Sequence, residues 1–144
     1  GMDGRHEVPA SEFFVDYFTT ALRPGELLLE VRVPKYTGWR AHYEKFNRVA
    51  QAWSICGVAA AVRVDNGTIA EARVGLTNMS SVPVRARGVE EALVGQQASP
   101  EVIKAAAARA VDGTLPTADG NADAEYREHL AKVLTERAVT AACS

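Results

Sequence analysis

Two runs of alternating residues around Asp65-Asn66-Gly67 constrain this chain more than any other feature. In the first, Val58, Ala60, Val62 and Val64 alternate with Ala59, Ala61 and Arg63; in the second, Ala70, Ala72, Val74 and Leu76 alternate with Glu71 and Arg73. A period of two puts each set on one face of a strand. Asn-Gly tolerates positive φ at both central positions of a type I′ turn, whose twist matches that of the flanking strands. The segment is therefore expected to be an antiparallel hairpin with one face packed inward and one able to meet water.

The remaining segments are read in relation to that hairpin. Leu27, Leu29, Val31 and Val33 alternate with Glu26, Glu30 and Arg32, which predicts a strand over Glu26–Val33 ended by Pro34. Leu28 stands among the charged residues of that strand. Arg23-Pro24-Gly25 forces a turn before it. The i, i+4 spacing of Phe13, Phe14, Tyr17 and Phe18 predicts a short helix over Ser11–Leu22, capped by Ser11. A second strand is expected from about Trp39 to Asn47. Downstream the pattern turns helical. Arg85–Val94 is closed by Gly95, and Ser99-Pro100-Glu101 opens a helix reaching about Val111. A polar loop follows over Thr114–Asn121, and a last helix from about Asp123 carries Tyr126, Leu130, Val133, Leu134 and Ala138 on one stripe. Strands first and helices after predict an α+β fold, an antiparallel sheet of three to four strands with about three helices packed on one face.

At 144 residues the chain is one domain with a short leading segment borrowed from a neighbour. A net charge of −2 offers no bulk attraction to nucleic acid, and no apolar run is long enough for a membrane span. Cys56 lies in an apolar run and reads as a buried hydrophobe. Cys143 is next to the last residue, and cytosolic residence without a disulfide is the reading preferred. His6, His42 and His129 share no zinc-type spacing with the cysteines, so no metal site is expected. Ser54 and Ser80 have no histidine at a suggestive spacing, and Asp119 with Asp123 lacks the ligand density of a calcium loop; no catalytic residue is assigned. Trp53 and Ile55 read as core, Arg127 and Arg137 as ion-paired surface or subunit-contact residues, and Arg85 as a surface residue, the alternative being a helix terminus or an acidic neighbour as its partner.

Four stretches in order carry a family resemblance. They are Phe13-Phe14 with Thr20–Leu28 and Val31–Pro34; Tyr43–Arg48 leading into Ile55–Ala59; Pro83–Ala86 with Glu90 and Leu93–Gly95; and Glu125-Tyr126-Arg127 with Leu130, Val133-Leu134 and Arg137-Ala138. Together they resemble the carboxy-terminal part of the FAD-binding, or medium, subunit of molybdenum hydroxylases of the CO dehydrogenase and xanthine dehydrogenase kind. The resemblance implies that residues 1–34 are the end of the FAD-binding domain, its last helix and strand, and that residues 35–144 are the flavoprotein carboxy-terminal domain. It also implies partners: a molybdenum-cofactor subunit that oxidises substrate, and an iron-sulfur subunit that passes the electrons to FAD. In the family two glycine-containing loops of the amino-terminal half hold the FAD pyrophosphate. These 144 residues contain no such loops, so no FAD is expected on this chain alone.

Three residues match family positions at the flavin and would act only together with the FAD-domain half: Leu28, Lys45 and Arg48. Leu28 would lie against the ring; the alternatives are cover by a neighbouring domain or plain exposure. Lys45 would stabilise negative charge on a reduced ring, and Arg48 stands nearby; the alternative for both is a solvated strand charge. Val49 and Ala52 depart from the arginine and aspartate often found there. The function implied is one wall of the FAD site plus subunit contacts. The competing reading is a stand-alone α+β interaction module without redox function, able to form a homodimer through its leading aromatics.

Overall fold

The computed structural model describes Gly1 and residues 4–144, which form two compact units, Gly1–Thr37 and Gly38–Ser144. In the first unit a single helical turn, α1 (Ala10–Phe13), runs into a small antiparallel hairpin of β1 (Phe14–Asp16) and β2 (Thr19–Thr20). The helix expected over Ser11–Leu22 thus stops at its first turn. Val15, Thr19 and Thr20 are β-branched and favour strands. Phe18 takes φ 52°, and Asp16 accepts the Tyr17 N–H at 2.8 Å to close the turn. The turn at Arg23-Pro24-Gly25 forms as expected, with the Glu26 N–H donating to the Arg23 carbonyl at 3.0 Å and Gly25 at φ 81°.

The strand expected over Glu26–Val33 is not realised: among the described residues this segment joins no ladder. Its alternation survives without consequence, since Leu27, Leu29, Val31 and Val33 are as exposed as Leu28. A strand is stable only when its N–H and C=O groups find a neighbour, and alternation alone does not supply one.

The second unit is an α+β sandwich. Strands β3 (Arg40–Phe46), β4 (Cys56–Asp65), β5 (Thr68–Thr77) and β6 (Val84–Arg85) lie in the order β3-β4-β5-β6, every neighbour antiparallel. The β4–β5 turn has two residues, Asn66 at φ 51° and Gly67 at φ 81°, the type I′ geometry that the dipeptide predicts. Val58, Ala60, Val62, Ala72, Val74 and Leu76 are buried on one face. Ala70 is only half-buried, and Ile69 takes its place in the core. The cause is a bulge: Arg63 pairs with Glu71 while Val64 pairs with Ile69, so Ala70 has no partner and parity changes across it.

Helices α2 (Arg87–Leu93), α3 (Pro100–Ala107) and α4 (Ala124–Cys143) cover that face, α4 over β3 and β4 and α2 over β5, with α3 beside both helices. Arg85 belongs to β6, so α2 begins two residues later than expected. Ser99 caps α3 by accepting the Val102 N–H at 3.3 Å, and a 3-10 turn (Ala108–Val111) completes it before Gly113 at φ 73°. Asp123 caps α4 by accepting the Tyr126 N–H at 2.7 Å. Each of the fully buried side chains Val58, Val62, Val74 and Leu76 contributes roughly 1.5–3 kcal/mol over its exposed state. Glu90 of α2 finishes the sheet. It accepts the Val74 N–H at 2.7 Å and both Arg85 Nε and Nη2 at 2.8 Å, supplying the partner that short β6 does not.

Candidate functional site

The face of the sheet away from the helices is lined by small residues. Tyr43, Lys45 and Ala41 of β3 pair with Ala59, Gly57 and Ala61 of β4, which pair in turn with Gly75, Thr77 and Arg73 of β5. Paired residues point to the same side, and all of these have the parity opposite to buried Val58, Ala60 and Val62. Two aromatics border the small-residue strip. The Arg73 guanidinium lies 5.5 Å from the centre of the Trp39 ring, and Tyr43 is about half exposed.

One end of this face concentrates polar groups. A Cβ built on Gly57 would stand 2.6 Å from the Tyr43 hydroxyl and 2.8 Å from Thr77 Oγ1, so the glycine admits both oxygens to the same spot. Thr77 Oγ1 is 3.4 Å from Ser54 Oγ. Lys45 pairs with Gly57 and is exposed beside this group, and Arg48 follows in the β3–β4 loop, also exposed. Three hydroxyls, a primary ammonium and a floor of glycine and alanine offer room for a flat ring along its polar edge. The nearest neighbours of these hydroxyls are hydroxyls rather than a base, so the cluster does not resemble a nucleophile with its activator.

Lys45 thus stands at one end of this face, and Arg48 follows in the loop just beyond β3. Leu28 belongs to the first unit, where with Phe13, Phe14, Leu22 and Leu27 it lines an open hollow of about 750 Å³. Tyr43, Gly57 and Thr77 escaped the sequence reading. The signal that could have found them is Gly57 at the start of a strand otherwise filled by alternating valine and alanine.

Comparison with known proteins decides the family. The profile of the CO dehydrogenase flavoprotein C-terminal domain matches residues 41–142. This chain belongs to that family. It is 34% identical to the carbon monoxide dehydrogenase medium chain of Hydrogenophaga pseudoflava, over 99% of this chain and 50% of the relative. It is also 34% identical to the medium chain of Afipia carboxidovorans, over 96% and 49%. The solved structure of the Hydrogenophaga pseudoflava carbon monoxide dehydrogenase lacking the Mo-pyranopterin moiety superposes with a TM-score of 0.93 at 36% identity, covering 99% of this chain and 50% of that one. The chain spans about half the length of the relatives it matches. The α+β architecture expected from the strand and helix patterns is the one this family domain has.

Within the family fold, three residues stand elsewhere than expected. Trp53 is 82% exposed rather than core. Tyr126 lies at the rim, edge-on to Phe46 with ring centres 6.4 Å apart. Arg127, expected at the surface, is buried. Arg85 is held by an acidic neighbour, Glu90.

Proposed function

We propose that this chain is the carboxy-terminal part of a molybdenum-hydroxylase flavoprotein subunit and forms one wall of its FAD site. The observation that carries the reading is Lys45 beside Tyr43, Gly57 and Thr77 on the sheet face that no helix covers. Bound FAD supplies the redox chemistry that accepts electrons from iron-sulfur clusters and hands them on. The residues here receive it. Lys45 places a positive charge where the reduced ring gathers electron density, Arg48 adds a second cation at the loop, and Leu28 offers an apolar contact. Residues 1–34 are the end of the FAD-binding domain, and residues 35–144 the flavoprotein carboxy-terminal domain. The partners are the molybdenum-cofactor subunit and the iron-sulfur subunit, and the complex works in the cytoplasm. No helix among the described residues is long and apolar enough to cross a membrane.

The test is FAD retention. A polypeptide of these 144 residues is expected to leave gel filtration colourless, because it offers no loop of backbone donors to the pyrophosphate. Mixed with the amino-terminal half of the subunit, it is expected to elute with FAD at near-equal stoichiometry. Flavin absorbance on the 144 residues alone contradicts the reading.

A second reading has its own observation: Phe14, Val15, Tyr17 and Phe18 are exposed in a row, Phe18 at 92%. Contiguous apolar surface of this kind marks an interaction site, and a twofold contact between two copies would cover it. Light scattering on the wild type and on Phe14→Ser/Phe18→Ser tests it. A dimer abolished by the double substitution supports self-association, and a wild-type monomer at high concentration excludes it.

A further inference from the structure

Arg127 sits in the first turns of α4 with its side chain 2% exposed, where a long apolar residue would be the cheaper filling. Its guanidinium spans two segments distant in sequence. Nη1 donates to the carbonyl oxygen of Ile55, and Nη2 lies 2.7 Å from Asp119 Oδ2. Asp119 is itself fixed, accepting the N–H groups of Asn121 at 2.8 Å and Ala122 at 3.1 Å. Ile55 is the last residue of the β3–β4 loop (residues 47–55), and its N–H donates to the carbonyl of Phe46 at 2.8 Å, closing the loop at its base. From the other side Asn78, at φ 60°, donates through Nδ2 to the carbonyl of Ser54 at 2.9 Å and reaches that of Ile55 at 3.4 Å. Two side chains from two elements therefore converge on the carbonyls at one loop exit.

The loop they hold carries Arg48, starts directly after Phe46, and reaches Ser54, beside Thr77, one residue before its end. Within it Val49 accepts both the Ala52 N–H at 3.1 Å and the Asn47 side-chain amide, and Gln51 takes φ 65°. Val49 in this turn is exposed, and the contacts above pin the loop at its exit.

We propose that Arg127 is the positioning residue of the β3–β4 loop, its bidentate reach from Asp119 to the Ile55 carbonyl setting where Arg48 stands next to the end of β3. The purpose given to Lys45 and Arg48 rests on the flavin reading; the positioning itself does not, and is measured without flavin. Arg127→Lys keeps a positive charge beside Asp119 but loses the planar fork that reaches two acceptors at once.

The experiment uses the 144-residue chain, with Trp39→Phe as background so that Trp53 reports from the loop. In Arg127→Lys, amide exchange of residues 47–55 is expected to rise about tenfold and the Trp53 anisotropy to fall, while exchange in Val58–Val62 of β4 stays within about twofold. Exchange rising equally in loop and sheet overturns the proposal, because that is the signature of a core residue lost. Unchanged loop exchange and anisotropy overturn it as well. Asn78→Ala, at an exposed position, provides an independent opening of the same exit and is expected to loosen the same nine residues, 47–55, further in the Arg127→Lys background. A loosened loop in a subunit whose flavin ignores Lys45 would refute the flavin reading and leave the positioning intact.

Discussion

Val58, Val62, Val74 and Leu76 are buried as their alternation requires, whereas Arg127 is buried because Ile55 and Asp119 wait for it. Trp53 reads as core from composition alone, but the loop that carries it turns it outward. Cys56 sits where the apolar run puts it, and burial pushes its thiol up from 9.0 to about 11 against the opposing charge of Arg127. Because the folded value lies above the unfolded one, the stability gained from the neutral thiol is complete below pH 9.0 and fades as pH rises towards about 11. Between those values the wild type is expected to lose on the order of 2 kcal/mol more than Cys56→Ala, measured by urea unfolding at stepped pH. Equal losses in the two proteins would show that the thiol does not titrate from a buried site. Asp119 behaves in the opposite sense: the N–H groups of Asn121 and Ala122, helped by Arg127, hold its carboxyl below the ordinary value of 3.8. Its contribution is present above that value and lost as pH falls through the lowered one. Asp119→Asn, which leaves Arg127 buried without an anion, is expected to lower the urea midpoint more than Arg127→Met. The double variant should recover most of the difference. A double variant no better than Asp119→Asn would show that the pair is not coupled.

At the level of elements, local chemistry settled the hairpin, the caps and the last helix, and failed where tertiary pairing decides. The Asn66-Gly67 turn, the Ser99 cap and Gly95 at φ 84° after α2 each rest on a handful of neighbouring atoms, which is why they were legible. Glu26–Val33 has the alternation of a strand and lacks a partner, and Ser11–Leu22 has helical spacing but β-branched residues and a left-handed Phe18. Short β6 was invisible, and so was the role of Glu90, which replaces the missing ladder partner of Val74. Glu90→Ala strands the Val74 N–H and frees Arg85; it is expected to cost roughly 3 kcal/mol by denaturant unfolding. A change below about 0.5 kcal/mol would mean that water replaces the carboxylate. Gly67→Val forces a β-branched residue to φ 81° with its Cβ 3.2 Å from Gln97 Oε1. A loss of about 1–3 kcal/mol is expected, and an unchanged denaturant midpoint would exclude the type I′ turn.

On the scale of the whole molecule, the second unit has a complete core under one sheet face, while the first exposes Leu27, Leu28, Leu29, Val31 and Val33 to solvent. The candidate site was legible only in part: Lys45 and Arg48 came from the resemblance, whereas the hydroxyls of Tyr43 and Thr77 gather over Gly57 only once three strands are in register. The central claim is that this gathered face meets the flavin, and Lys45 is the residue whose charge should be felt there. Its most direct test is the reduction potential of FAD in the full subunit, compared between the wild type, Lys45→Met and the control Lys132→Met on exposed α4. With the cation gone the reduced ring loses a stabilising charge. The potential of Lys45→Met is therefore expected to fall by on the order of 30 mV, about 1.4 kcal/mol for two electrons, while that of Lys132→Met stays put. A Lys45→Met potential equal to that of wild type would contradict the claim that this face is the wall of the flavin site.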